Sequence, residues 1–251
     1  MDGVLWQDKA PLPGVGDFFR ALAQDNCPYV FATNNSTRSP ADYAVKIRGL
    51  GIAVEEGQII TSSTATAAFL ADRHPQGGPL YIVGEGGLRG ALAAEGFYPS
   101  PEDSVLAVVA GLDRQISYEK IRRAGHLIRA GVPFIGTNPD KTYPTPQGLA
   151  PGAGSILAAI EAAGGQAPLI IGKPHPPMFQ QALKLLGSPP VQTLMIGDRL
   201  DTDIAGARAL DMKTALVLTG VSTEADIINS SVQADGVFAD LVHLLQAYQS
   251  S

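Results

Sequence analysis

Short, continuously apolar runs alternate with amphipathic stretches of helical length along the chain. The apolar runs are YVFAT (29–33), LYIVG (80–84), VLAVVAG (105–111), PFIGT (133–137), LIIG (169–172), TLMIG (193–197) and TALVLTG (214–220). A half-exposed strand alternates apolar and polar residues, whereas an unbroken apolar run belongs to a strand covered on both faces. Between the runs, apolar residues recur at helical spacing and predict helices over 15–25, 40–50, 63–73, 88–95, 118–130, 153–163, 177–186 and 203–210. Buried strands alternating with helices imply a doubly wound, parallel-sheet α/β architecture.

Two Pro/Gly-rich breaks, HPQGGP (74–79) and AGGQAP (163–168), interrupt this alternation. The residues between them carry their own strands and helices, enough for a second α/β unit inserted into the first. The expected organisation is a core over 1–76, an inserted domain over 77–166 and the rest of the core over 167–251.

Composition narrows the function. The chain is 45% hydrophobic with a net charge of −6, so it can bury a core and lacks the basic balance of a nucleic-acid binder. The only cysteine, Cys27, cannot form an intrachain disulfide, which points to a reducing compartment, the cytoplasm. No secretory signal pattern opens the sequence, and no apolar run approaches a membrane span. A small-molecule substrate is expected, with neither nucleic acid nor membrane as partner.

In open α/β sheets ligands bind beyond the carboxyl ends of the strands. Three such ends carry chemistry. TNNSTRSP follows the first run and offers the Thr33 hydroxyl, Asn34 and turn N–H groups, either as an anion cradle or as an ordinary Asx turn. GKPHPP offers Lys173 at a strand end, either as a charge for an anion or as a solvated loop lysine; His175 beside it reads as a loop residue. GDRLDTDI places Asp198, Asp201 and Asp203 within six residues after a buried strand. Clustered carboxylates repel unless a cation neutralises them, and hard oxygen donors suit Mg2+; the plainer reading is an acidic helix start. GEGGLRG (84–90) fails the G-x-G-x-x-G spacing because Arg89 stands at the third glycine, which counts against a dinucleotide-binding oxidoreductase.

The order DGVLW, TNNSTRSP, GKP, GDRLDTDI resembles the four motifs of the haloacid dehalogenase-like hydrolases, in particular the phosphatases that include nucleotide, 4-nitrophenyl phosphate, pyridoxal phosphate and phosphoglycolate phosphatases. The resemblance covers essentially the whole chain, and GLDRQISYEKI and FIGTNPD are similar to segments of that group's cap domain. It implies a Rossmann-like core with an inserted cap and a Mg2+-dependent phosphate monoester hydrolase working through an aspartyl-phosphate. It implies Asp2 as general acid/base, with its backbone carbonyl on the metal, and Asp198 as metal ligand. Thr33, Asn34 and Lys173 would hold phosphate, and Asp203 would act behind the metal, with Asp201 at a variable position. Asn138, Asp140 and Tyr143 of the cap would face the substrate, and a homodimer through the cap is expected.

The family's motif is D-x-D, and Met1 occupies its middle position. The nucleophilic aspartate, and the first core strand leading into it, would precede Met1. Two readings follow. Either an internal methionine of D-M-D-G-V-L-W was taken as the start, so that the native protein is active and this chain is not, or a short form binds a phosphorylated metabolite without hydrolysing it, in a regulatory role.

Overall fold

The computed structural model describes residues 1–7, 10–145 and 147–250. The chain divides into two compact units. The first comprises 1–32, 40–59 and 173–251, and the second 33–39 and 60–172. The break at 74–79 therefore lies inside the second unit, and residues 60–76 and 167–172 cluster with that unit rather than with the core. The LIIG run shows why. Its strand, Leu169–Ile170, pairs in parallel with Phe134–Gly136 instead of joining a core sheet.

The first unit holds a parallel sheet in the order Leu194–Gly197, Lys213–Val217, Gly236–Phe238. The helices Val15–Gln24, Pro40–Arg48, Pro176–Leu186, Glu224–Asn229 and Leu241–Gln249 belong to the same unit. Val15–Gln24 buries Val15, Phe18, Phe19, Ala21 and Leu22, the face its periodicity requires. Phe19 meets Tyr29 edge to face at 5.0 Å between ring centres. Pro176–Leu186 starts with proline in its first turn and stops at Gly187, whose φ of 61° is left-handed.

An apolar cleft of about 410 Å3 opens within this unit. Val30, Phe31 and Ala32 line it, as do Leu194, Met195 and Ile196, and Met1 lies at it too. Among the described residues Leu194–Gly197 is the edge strand of the three-stranded sheet, paired with Lys213–Val217.

The second unit is built on a five-stranded parallel sheet ordered Leu169–Ile170, Phe134–Gly136, Val108–Ala110, Gly78–Val83, Phe97–Pro99. All three residues of Val108–Ala110 are fully buried, as an unbroken apolar run demands. Helices Tyr118–Arg129 and Ala153–Gly164 pack on the sheet through Leu127, Ile128, Ile156, Leu157 and Ile160. Thr61 and Thr64 form a reciprocal cap at the start of Ser62–Ala71. An antiparallel hairpin, Thr142–Thr145 with Gly148–Pro151, completes the unit. Among the described residues no helix is long and apolar enough to cross a membrane.

The helix expected over 203–210 is shorter. Only Ala205–Arg208 is α-helical, and Leu200–Ile204 before it is a wider π turn in which the Asp203 and Ile204 N–H groups both bond to the Arg199 carbonyl. The Asp203 side chain is the cause to hand, because it turns back to the strand end instead of pointing along a helix.

Candidate active site

The strand Leu194–Gly197 delivers Asp198 at its carboxyl end, 6% exposed. The π turn then brings Asp203 back beneath it. Asp203 Oδ2 accepts from the backbone N–H of Asp198 at 3.2 Å and of Arg199 at 3.3 Å. Its Oδ1 accepts from Lys173 Nζ at 2.6 Å, and both side chains of that pair are buried. A buried charge pair is tolerated only when its remaining donors and acceptors are met. Lys173 also reaches the Ala32 carbonyl at 3.5 Å. Burial pushes the Asp203 carboxyl up, but Lys173, the Met1 α-amino group and the Asp198 N–H outweigh it and hold it below the usual range.

Asp198 behaves oppositely. Burial, and then the charge of Asp203, raise its carboxyl above the ordinary value, against the pull of the Met1 α-amino group, the Val221 N–H and Lys173. Its Oδ2 accepts from Val221 N–H at 2.9 Å. The Ser222 N–H bonds to the Asp198 carbonyl at 2.9 Å, and the Ser222 hydroxyl accepts from Leu200 N–H at 3.0 Å.

The chain start lies against this cluster. A Cβ at Gly3 would stand 2.5 Å from Asp198 Oδ2, and one at Gly220 would stand 2.1 Å from the same oxygen. Gly3 also has φ +72°, so glycine is required there on two counts. Thr219 donates to the Gly3 carbonyl at 2.6 Å and pins the loop. Asp2 is exposed, and its Oδ1 accepts from the indole Nε1 of the fully buried Trp6 at 2.7 Å. The Lys46 ammonium lies 3.6 Å from the Trp6 ring centre, a cation–π contact that fixes the indole.

Asp201 is not part of the cluster. It pairs with Arg199 at 2.8 Å on an exposed face. His175 sits just before helix Pro176–Leu186, where burial lowers its pKa.

In the second unit, Thr33 is buried and its Oγ1 accepts from Asn35 N–H at 3.2 Å. Asn34 Nδ2 donates to Asp140 Oδ1 at 3.4 Å, and Asn138 Nδ2 donates to the Asn34 carbonyl at 2.8 Å. Asn138 Oδ1 accepts from Asp140 N–H at 3.2 Å. Tyr143 lies on the hairpin strand Thr142–Thr145.

The first unit thus gathers the loop of Asp2 with Lys173, Asp198 and Asp203, and the second gathers Thr33, Asn34, Asn138 and Asp140. The sequence reading passed over Trp6, Thr219, Gly220, Val221 and Ser222. TALVLTG was recognised as a strand, and applying the carboxyl-end rule to it would have found the last four.

Among the described residues no three His, Cys, Asp or Glu side chains form a metal cage. Mg2+ does not need such a cage, since it keeps several waters and takes only one or two carboxylates. Asp198 is a buried carboxylate with a second one beside it and two glycines packed closely against it, and a hard divalent cation would relieve its raised pKa.

This cluster lies at the carboxyl end of a parallel strand, where open α/β folds bind their ligands. Residues 1–98 match the haloacid dehalogenase-like hydrolase family, and residues 170–244 match a second HAD-hydrolase-like family. An acid sugar phosphatase of Staphylococcus saprophyticus is 36% identical over 246 residues, covering 98% of this chain and 95% of the relative. A dihydroxyacetone phosphatase of Corynebacterium glutamicum is 40% identical over 227 residues, covering 90% and 82%. The solved p-nitrophenyl phosphatase from Archaeoglobus fulgidus superposes with a TM-score of 0.92 at 31% identity, covering 98% of this chain and 96% of that one. The chain belongs to the haloacid dehalogenase-like hydrolase family and groups with its phosphatases.

Proposed function

We propose that the protein is a Mg2+-dependent phosphate monoester hydrolase acting on a small phosphorylated metabolite. The observation that carries this reading is the buried cluster of Asp198, Asp203 and Lys173 at one strand end, with its carboxylates driven to opposite pKa behaviour. Asp203 is tied up by lysine, so it stays ionised and positions Lys173. Asp198 is left as the carboxylate in need of a cation. The relatives' names, acid sugar phosphatase and dihydroxyacetone phosphatase, favour a sugar or triose phosphate as substrate.

The chemistry divides among named groups. A carboxylate one position before Met1, outside the 251 residues, attacks phosphorus, and the ester P–O bond breaks. Asp2 gives its proton to the leaving alkoxide, then takes one from the water that opens the aspartyl-phosphate and frees phosphate. The indole of Trp6 aims the Asp2 carboxylate. Lys173 and the Thr33–Asn34 segment hold the phosphate oxygens. Mg2+, held by the Asp198 side chain and the Asp2 carbonyl, would neutralise negative charge during the transfer.

The first core strand belongs to this proposal. The apolar cleft between residues 30–32 and 194–196 has the lining a buried strand needs, and Leu194–Gly197 has a free edge to pair with it. An apolar strand leading into Met1 would fill it and carry the nucleophile. Residues 77–166, the larger part of the second unit, serve as a cap that selects the substrate through Asp140 and Tyr143, and as the surface of a homodimer. The cytoplasm is the compartment proposed from the lone Cys27.

The test is phosphate release from 4-nitrophenyl phosphate and dihydroxyacetone phosphate, with Mg2+ and with EDTA. It compares the 251-residue chain with one extended by about five or six apolar residues, a typical strand length, and an aspartate. Mg2+-dependent turnover by the extended chain alone is expected. Inactive extended protein, folded by circular dichroism, refutes the proposal.

A further inference from the structure

The segment carrying Thr33 and Asn34 is held by side chains from distant parts of the sequence. The Asn34 carbonyl accepts two hydrogen bonds, from Ser62 Oγ at 2.6 Å and from Asn138 Nδ2 at 2.8 Å. Ser62 is fully buried and Asn138 nearly so. Their partner lies 28 and 104 residues away in sequence. An ordinary turn satisfies itself locally, as Asn35 does beside it, with its Oδ1 accepting from Thr37 N–H and Oγ1, both at 2.8 Å. Ser63 Oγ holds the Ser36 carbonyl at 2.8 Å in the same way.

The consequence passes along one peptide plane. The Asn34 carbonyl and the Asn35 N–H belong to the same rigid peptide group. That N–H donates to Thr33 Oγ1. Fixing the carbonyl therefore fixes which lone pair of Thr33 is used, and so the direction left to its hydroxyl proton. Gly172, one residue before Lys173, closes the arrangement. A Cβ there would stand 2.6 Å from the Thr137 carbonyl and 2.7 Å from Asn34 Oδ1. The Asn138 amide is meanwhile occupied inside the protein at both ends, by Asn34, Thr137 and Asp140.

We infer that Asn138 and Ser62 are positioning residues that set the Thr33 hydroxyl for binding a phosphate oxygen, through the Asn34–Asn35 peptide. The inference rests on the phosphatase reading and gives Asn138 a place behind the phosphate loop instead of against the substrate.

The test is calorimetric titration of the full chain with inorganic phosphate in Mg2+, with melting midpoints recorded in parallel. Thr33→Val, Asn138→Ala, Ser62→Ala and Ser62→Thr are compared with wild type. Asn138→Ala and Ser62→Ala are each expected to weaken phosphate about tenfold, the size of one hydrogen bond's misdirection. Ser62→Thr keeps the hydroxyl and should bind within about twofold of wild type on the same scale. The double variant should lose less than the sum, since both act on one carbonyl. If Thr33→Val weakens phosphate while Ser62→Ala and Asn138→Ala bind like wild type, whatever their melting midpoints, the inference is overturned. If wild type takes up no phosphate, or Thr33→Val binds as well as wild type, the phosphate assignment of the loop itself fails.

Discussion

Replacing Lys173 by methionine removes the cation from a pair that is closed to water on both sides. The side chains are 8% and 5% exposed and the N–O distance is 2.6 Å. After the change Asp203 keeps its two backbone donors but stands buried beside Asp198. Breaking one side of a buried pair costs about 3–5 kcal/mol. The two backbone N–H donors that Asp203 keeps offset part of this, so the lower end, about 3 kcal/mol, is expected. At roughly 2–4 °C per kcal/mol for a chain of this size, the first unit should melt about 6–12 °C lower at pH 7. The sign with pH follows from the shift. Asp203 is held low in the folded protein, so its contribution is fully present above its unfolded value, about 3.9, and is lost as pH falls through its folded value. The gap between variant and wild type should therefore close in acid. Lys173→Met combined with Asp203→Leu should recover most of the loss, because the carboxylate that the lysine balanced is removed with it. Differential scanning calorimetry at pH 7 and at about pH 2, below the unfolded carboxylate value, reads all three. A Lys173→Met midpoint within about 2 °C of wild type at pH 7 would refute the argument that this pair bears on the fold.

Gly220→Ala places a methyl against the Asp198 carboxylate and should weaken Mg2+ at least about tenfold by isothermal titration of protein shown to be folded by circular dichroism; unchanged affinity would remove Asp198 from the cation site. Trp6→Phe removes the donor that aims Asp2 while keeping an aromatic ring. In the turnover-competent protein it should slow a sugar phosphate, whose leaving group needs a proton, about tenfold more than 4-nitrophenyl phosphate, and equal slowing of both would deny the role given to the indole.

The sequence spoke most clearly where one physical demand acts alone. Unbroken apolar runs such as 108–110 could only be doubly covered strands, and the helices at 15–24 and 118–129 follow their apolar faces. Lys173, Asp198 and Asp203 were legible because charged residues after buried strands need a reason. Less legible was anything decided by long-range pairing. The strand at 169–170 has the same character as a core strand, and only its partner, 134–136, places it in the second unit. The helix Leu241–Gln249 was missed although Asp240 caps it, since its buried stripe is only Leu241 and Leu244. The π turn at 200–204 depends on where Asp203 sends its side chain, which spacing does not encode. Trp6 carried no signal of its own; it is core, and its indole N–H on Asp2 is a matter of orientation within that core.

The most direct measurement is Mg2+-dependent hydrolysis of 4-nitrophenyl phosphate by the chain carrying an apolar strand and an aspartate ahead of Met1, beside the 251-residue chain and an Asp198→Asn variant of the extended one. Turnover by the extended chain, abolished by EDTA and by Asp198→Asn and absent from the 251-residue chain, is the predicted result. Equal turnover with and without the added aspartate, or turnover indifferent to Asp198, would contradict it.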